Sequence, residues 1–176
     1  MKLGAKMLGL FKPTWSIADI YSIQPKFLLE NHINNVLTDL DNTLIPWDSS
    51  NGNKKLENWL TELKKNGIAV IVVSNNSHSR IEMAVKEYNL PFIARAMKPL
   101  NIGIKQAKKR FSLDLDSTVM VGDQLLTDIF SANICHVRSI LVKPLVRSDK
   151  WNTRVNRVIE NQLWKYLEKK YDLHWE

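Results

Sequence analysis

Short apolar runs alternate with amphipathic segments through the middle of this 176-residue chain. Each run is of strand length and ends in polar or turn-forming residues, which is typical of strands buried in a sheet. The runs predict five strands, at residues 35–39, 68–73, 91–94, 117–121 and 139–142. Between them, helices are predicted over 54–66, from after Ser77 to about residue 88, from after Pro99 to about residue 111, and from after Asp128 to about residue 133. Strand and helix in alternation predict an α/β fold, a parallel sheet with helices on both faces.

Two further helices are predicted at the ends of the chain. Residues 1–15 form an amphipathic pattern that Pro13 ends, and residues 151–171 repeat apolar positions at spacings of three and four. An amphipathic end of this kind either lies in a membrane interface or packs on the domain, and the pattern leaves both alternatives open. Because no repeat or linker interrupts the chain, we expect one domain over residues 1–176.

Composition places the chain among ordinary globular proteins, with 44% hydrophobic and 24% charged residues. The single cysteine, Cys135, excludes an intramolecular disulfide and is typical of a reducing compartment. No apolar run approaches the roughly 20 residues that span a bilayer, and the first residues lack a signal-peptide cleavage site. We therefore expect a cytoplasmic protein.

The formal net charge of +7 indicates either an anionic partner or a surface charge that serves only to keep the protein soluble. One stretch is basic with no acidic residue inside it, from Arg95 to Arg110. Anionic lipid, nucleic acid and a phosphorylated small molecule all fit such a charge. No basic stripe with interleaved aromatic residues supports nucleic acid, so we do not expect that partner.

Candidate chemistry begins where the first predicted strand ends, in the segment Asp39-Leu40-Asp41-Asn42-Thr43. Residues two apart on a strand share a face, so both carboxylates can reach the carboxyl edge of the sheet, where open α/β sheets bind ligands. Asp39 can attack phosphorus and form an aspartyl-phosphate. Asp41 can protonate the departing alcohol and later take a proton from water. Mg²⁺, held by carboxylates of Asp39 and Asp123, would offset the repulsion between the anions.

Polar residues beside the later strands complete the set. Ser74 can donate a hydrogen bond to a phosphoryl oxygen, and Lys98 can balance developing charge. Asp128 can orient Lys98 or a metal-bound water. Taken singly, each of these residues fits a turn, a helix cap or a solvated surface charge. They become informative as a set because each follows a predicted strand in a fixed order.

With those residues in view, the chain resembles phosphatases of the haloacid dehalogenase (HAD) superfamily. The resemblance rests on Asp39-Leu40-Asp41-Asn42-Thr43, Ser74, Lys98-Pro99 and Gly122-Asp123 with Asp128. It implies a three-layer Rossmann-like fold with strand order 5-4-1-2-3, a nucleophilic first aspartate and an acid/base second one. We accordingly expect a metal site of Asp39, Asp41 and Asp123, and substrate contacts from Thr43, Ser74, Asn75 and Lys98.

The residues within and around these motifs resemble the YqeG-type branch of subfamily IIIA, which is similar to the mitochondrial phosphatidylglycerophosphate phosphatases. The residues concerned are 71–76, 96–100 and 121–128. The resemblance implies a Mg²⁺-dependent phosphatase that converts phosphatidylglycerophosphate into phosphatidylglycerol at the inner face of the membrane.

Spacing supports an open site. Only about thirty residues separate Asp41 from Ser74 and about two dozen separate Ser74 from Lys98, which leaves no room for a cap domain. An uncapped site can accept a lipid head group, whereas a capped one encloses a small metabolite. Three other functions stay open: a soluble phosphatase for sugar phosphates or nucleotides, a nucleic-acid binder, and a binding module without catalysis.

Overall fold

A computed structural model describes residues 7–47, 53–146 and 154–175. It contains one sheet whose strands all run parallel. The strands are β1 Trp15–Ile17, β2 Asn35–Thr38, β3 Ala69–Val73, β4 Phe92–Ile93, β5 Thr118–Gly122 and β6 Arg138–Val142. The helices are α1 Pro25–Glu30, α2 Lys54–Lys65, α3 His78–Val85, α4 Ile102–Phe111, α5 Phe130–Ile134 and α6 Arg154–Tyr171. The α/β alternation expected from the apolar pattern is confirmed.

Strand order in the sheet is β1-β6-β5-β2-β3-β4. The five predicted strands correspond to β2 to β6, so their expected order of 5-4-1-2-3 is confirmed. The predicted count of five is wrong, because β1 adds a sixth strand at the edge beside β6, with Trp15 opposite Ile140. A three-residue strand gives too short a pattern to detect, and its pairing partner lies 125 residues further along the chain.

Helices cover both faces of the sheet. Alternate residues of β2 separate into two cores: Val36 packs with residues of α2 and α3, whereas Leu37 packs with residues of α4 and α5. In α2 the buried side chains are Leu56, Trp59 and Leu63, which are three and four residues apart as an amphipathic helix requires. The described residues contain no separate cap domain between the site-bearing strands, as expected.

The predicted amino-terminal helix is shorter than expected. Only residues 7–9 are helical in the described part, and Trp15 lies in a strand; residues 1–6 lie outside it. Proline at 13 cannot continue the helical hydrogen bonding, and the Thr14 amide instead donates to the Ser139 carbonyl at 2.9 Å. Asn133 fixes the segment by donating to the Leu10 and Lys12 carbonyls, so residues 10–12 pack on the domain.

The predicted carboxy-terminal helix is present as α6, and Trp151 lies outside the described residues. Leu167 of α6 packs against Leu125, Ile129 and Leu141, which joins the helix to the end of β6. No helix among the described residues combines the length and hydropathy needed to span a membrane.

The helix predicted after β5 begins differently from expected. Residues Leu125–Ile129 form a π-helical turn, and a short α-helix, α5, continues from it. Such wide turns recur at functional sites because they displace one side chain from regular helical spacing. Here the turn carries Asp128 into the interior, where it has no exposed surface.

Candidate active site

The polar residues that follow β2, β3, β4 and β5 meet at the carboxyl edge of the sheet. Parallel register sets this meeting point, because Thr38 is level with both Val72 of β3 and Val121 of β5. The Asp39 amide extends the ladder by one bond to the Val121 carbonyl, at 3.0 Å. The backbone therefore delivers Asp39 and Asp123 from neighbouring strands to one place.

Lys98 is the centre of the buried part of the site. Its Nζ lies 2.7 Å from Asp39 Oδ1 and 2.7 Å from Asp128 Oδ1, with only 2% of the lysine side chain exposed. An ammonium buried this deeply is stable only when paired, and the two carboxylates supply that pairing. We refer to Lys98, Asp39 and Asp128 as the buried triad.

Electrostatics in the buried triad favour a charged lysine. Burial by itself lowers the pKa of Lys98, but the charges of Asp128 and Asp39 outweigh burial and raise that pKa overall. Burial raises the pKa of Asp128, while the Lys98 ammonium opposes the rise. We assign a carboxylate to Asp128 because both of its oxygens accept hydrogen bonds, Oδ1 from Lys98 and Oδ2 from the Gln124 amide at 3.1 Å.

Position 122 requires a glycine because the buried Asp128 side chain packs directly against it. A Cβ built on Gly122 would overlap the Asp128 side chain, so that carboxylate lies directly against the glycine backbone. The glycine next to Asp123 therefore serves close packing, and its conformation is that of an ordinary strand residue.

Three carboxylates in the site can hold a metal ion. Asp39, Asp123 and Asp128 each offer an oxygen, and these oxygens lie within 4.8 Å of one another. Clustered carboxylates are the oxygen ligands that Mg²⁺ prefers, so the donor set fits the expected cofactor. Both oxygens of Asp128 accept hydrogen bonds, from Lys98 and from the Gln124 amide, whereas Lys98 engages Oδ1 of Asp39. The expected metal ligands Asp39 and Asp123, with Asp128 orienting Lys98, stay a prediction. Thr43, fully buried, donates to Asp123 Oδ1 at 3.2 Å.

Asp41 lies outside this metal-binding cluster. Its Oδ1 accepts from Arg80 Nη2 at 3.0 Å, and its Oδ2 accepts from Asn76 Nδ2 at 3.1 Å. The Asp41 side chain is 15% exposed, and that of Arg80 is 21% exposed. We refer to Asp41, Asn76 and Arg80 as the rim trio. The two expected roles of Asp41, in proton transfer and as a metal ligand, both stay predictions.

The two residues expected to contact substrate after β3 differ in their surroundings. Ser74 is buried, and its Oγ accepts from Asn76 Nδ2 at 3.2 Å. Asn75 instead bonds the backbone of Lys98 twice, donating to its carbonyl at 2.9 Å and accepting from its amide at 2.7 Å. Those two bonds hold the Lys98 loop in place. Substrate contact by Thr43, Ser74, Asn75 and Lys98 stays a prediction.

From sequence, Asn76 and Arg80 lie near the site and fit either substrate contacts or a helix cap and a surface charge, whereas Glu160 gives no signal. Glu160 of α6 is only 5% exposed, and its Oε1 accepts from the Leu126 amide at 3.0 Å. It thereby attaches α6 to the π-helical turn that carries Asp128. A glutamate whose hydrogen-bond partner lies 34 residues away has no local sequence pattern that indicates its role.

Comparison with known families agrees with this geometry. Residues 36–101 match the family described as haloacid dehalogenase-like hydrolase, and residues 95–160 match the family described as HAD-hydrolase-like. These two ranges contain every residue of the buried triad and the rim trio. An uncharacterized protein from Listeria monocytogenes serotype 4b has a similar fold, with a TM-score of 0.53 at 17% identity over 76% of this chain and 99% of that one.

Fold, acidic cluster and sequence together define a phosphatase of the haloacid dehalogenase type, and the chain belongs to that family of hydrolases. A curated relative extends the similarity to nearly the whole chain. The sequence is 37% identical over 166 residues to the protein named "Probable phosphatase YqeG" from Bacillus subtilis (strain 168), covering 94% of this chain and 96% of that protein.

Proposed function

We propose that the protein hydrolyses phosphomonoesters through a phosphorylated Asp39. The observation that supports this most directly is the position of Asp39, which is 8% exposed and held by Lys98 beside Asp123. An oxygen of its carboxylate is thereby fixed in direction before substrate arrives, and that lowers the entropic part of the barrier.

In the first step an Asp39 oxygen forms a bond to phosphorus while the bond from phosphorus to the ester oxygen breaks. Asp41 gives its proton to the departing alkoxide, which leaves as an alcohol. In the second step Asp41 takes a proton from water as the water oxygen attacks phosphorus. The acyl-phosphate bond breaks, inorganic phosphate leaves and the Asp39 carboxylate is regenerated.

Other residues hold the charge in place during both steps. Lys98 donates to Asp39 and stabilises negative charge that builds on the phosphoryl oxygens, and Ser74 donates to one of them. A Mg²⁺ ion bound by Asp39 and Asp123 would supply charge neutralisation between nucleophile and phosphate. Arg80 and Asn76 orient the Asp41 carboxylate from both sides.

The finer assignment follows the resemblance to subfamily IIIA: the substrate is phosphatidylglycerophosphate and the product phosphatidylglycerol, with the protein bound peripherally to an anionic membrane. An uncapped site among the described residues supports a large substrate. Two exposed apolar residues flank the Lys98-Pro99 pair, Met97 at 54% and Leu100 at 51% exposure. Helix α6 also exposes Val158, Ile159 and Tyr166 among its lysines, which fits a membrane interface.

The chemistry is tested with p-nitrophenyl phosphate in a Mg²⁺ titration. Wild-type protein should release phosphate only with the metal, and Asp39→Asn should abolish turnover with little change in melting temperature. Lys64→Asn on the exposed face of α2 is the control substitution and should keep full activity. Full activity in Asp39→Asn would remove Asp39 from the nucleophile role.

Substrate and location need a separate measurement. The activity of the purified protein is compared on phosphatidylglycerophosphate, sugar phosphates and nucleotides. Its binding to membranes is measured by flotation with vesicles that contain phosphatidylglycerol and with control vesicles of phosphatidylcholine alone. We expect the highest kcat/KM on the lipid and flotation with the anionic vesicles. Preference for a sugar phosphate or nucleotide, without vesicle binding at physiological salt, would favour the soluble phosphatase instead. The single-domain organisation over 1–176 is tested in the same preparations by a single cooperative unfolding transition.

A further inference from the structure

A groove leads away from the active site at Asp123. It has a volume of about 260 Å³ and runs past the end of β6 to Lys143, with α6 and the carboxy-terminal segment forming the opposite wall. Because Asp123 is also a candidate metal ligand, a phosphoryl group at the active site would lie at one end of this groove. The remainder of the groove is therefore available to the part of the substrate that departs as an alcohol.

The far wall of the groove is aromatic. Trp164 and Trp175 lie with ring centroids 4.7 Å apart and ring planes inclined at 34°. The Lys143 Nζ lies 5.0 Å from the centre of the Trp175 ring, so a cation is held over this wall. Flat apolar surface beside a fixed ammonium suits a ligand that has both a carbon skeleton and a negative charge.

The acidic residues that line the groove are already engaged. Glu160 is buried and accepts a backbone hydrogen bond from Leu126, and Asp123 accepts from Thr43 and belongs to the metal-binding cluster. Lys143 is exposed and lines the groove, and its Nζ over the Trp175 ring supplies a positive charge there. An entering anion would consequently be attracted at the Lys143 end.

The strand register relates the backbone positions of Asp123 and Lys143. Gly122 of β5 is level with Leu141 of β6, so Lys143 is one strand across and one residue beyond Asp123. Neighbouring strands are roughly 4.8 Å apart. A short polyol can bridge that step between a phosphate at the active site and a second phosphate at Lys143.

A second groove of about 340 Å³ continues from Lys143 and Pro144 toward Lys55. It adds another lysine on the same path. The acidic residue there, Asp19, already accepts from the Ser22 amide at 3.1 Å and the Ser22 hydroxyl at 3.2 Å. The two grooves together therefore place two lysines, Lys143 and Lys55, along one continuous surface.

We propose that the groove binds the leaving group of the substrate and that Lys143 binds a second, diester phosphate within it. This inference rests on the phosphatase activity proposed above. It adds the residue, Lys143, that would distinguish a phosphomonoester joined through a short polyol to another phosphate from a sugar phosphate with a single phosphate.

Binding is measured by calorimetry on the Asp39→Asn protein with Mg²⁺, so that turnover does not interfere. Three probes are compared. The first is glycerol phosphate, which carries one phosphate. The second is the deacylated head group of phosphatidylglycerophosphate, which carries two phosphates, and the third is the dihexanoyl lipid with that same head group. We expect both two-phosphate probes to bind more tightly than glycerol phosphate, by roughly fivefold for one exposed ion pair. Rising salt should reduce that preference.

Substitutions assign the preference to the groove. Adding Lys143→Ala should remove the roughly fivefold preference, and Lys143→Arg, which keeps the charge, should retain it. Lys64→Ala removes an exposed lysine from α2 and should leave the preference unchanged. Equal binding of one-phosphate and two-phosphate probes, or a preference that survives Lys143→Ala, would overturn the proposal. A preference that requires the acyl chains would overturn it also, because the second phosphate would then contribute nothing.

Wild-type turnover of p-nitrophenyl phosphate separates the two proposals. Normal Mg²⁺-dependent turnover with no binding preference contradicts only the groove. Absent turnover contradicts the phosphatase, while the calorimetric preference still decides whether Lys143 recognises the second phosphate.

Discussion

The buried triad and the rim trio hold two carboxylates in contrasting ways. Asp39 shares a buried ammonium with Asp128, and the Lys98 side chain is 2% exposed. Asp41 accepts from an amide and a guanidinium at the surface, where its own side chain is 15% exposed. A nucleophile benefits from a fixed direction, whereas an acid/base must exchange protons with water. The difference in burial matches the difference in the proposed roles.

That contrast also separates stability from catalysis. Removing one partner from a buried ion pair leaves an uncompensated charge and costs several kcal/mol, whereas a partly exposed pair contributes little. Substitutions in the rim trio should therefore affect turnover and leave stability nearly unchanged. Removal of Lys98 or Asp128 from the buried triad should affect both, whereas Asp39→Asn keeps an oxygen that accepts from Lys98 and leaves Asp128 as the charged partner.

The largest effect that tests this contrast is expected for Asp41→Asn. Loss of the acid/base should slow both half-reactions by roughly 10²- to 10⁴-fold. Rapid-quench measurements of glycerol and phosphate release from glycerol phosphate, whose leaving group needs a proton, follow the two steps separately. Melting temperature should change by less than about 2 °C, since the residue contributes only partly exposed contacts. If only the affinity for Mg²⁺ fell, Asp41 would be a metal ligand and not the proton donor.

Lys98→Met tests the buried triad. It leaves Asp39 and Asp128 buried beside each other without their shared cation, which should cost about 3–5 kcal/mol of unfolding free energy. For a chain of this size the melting temperature should fall by roughly 10 °C. Lys64→Met, at an exposed position of α2, is the matched control and should melt like wild type. An unchanged melting temperature in Lys98→Met would mean that the pairing of Lys98 contributes nothing to stability.

The smallest effect is expected for Gly122→Ala, which adds one methyl group against Asp128. Overpacking of this kind costs about 1–3 kcal/mol. Because Asp128 holds Lys98, turnover should fall together with the melting temperature. The control Gly67→Ala lies in open space but at a φ of +72°, so it should lose stability alone. Normal turnover in Gly122→Ala would show that Asp128 can move without affecting Lys98.

Much of the fold was predictable because its information is local. Residues 68–73 are apolar throughout, as a strand covered on both faces requires, and β3 occupies 69–73. The spacing of Leu56, Trp59 and Leu63 likewise indicated α2. The edge strand β1 was missed because three residues carry no usable period, and pairing with β6 alone makes them a strand.

Within the site, residue order indicated Asp39, Asp123 and Lys98 because each follows a strand of a parallel sheet. The partners of Asp41 were not predictable, since Arg80 reaches it from α3 across 39 positions of sequence. The second role of Asn75, as the support of the Lys98 backbone, was hidden for the same reason.

The sequence by itself determined the alternation of strand and helix, the strand order through its motifs, and the set of acidic and basic residues available for phosphoryl chemistry. Only the tertiary structure decided which carboxylate pairs with Lys98, which one faces solvent, and where a groove leaves the site. The physical reason is that residue types and periods act over a few neighbours, whereas burial and ion pairing depend on segments brought together from distant parts of the chain.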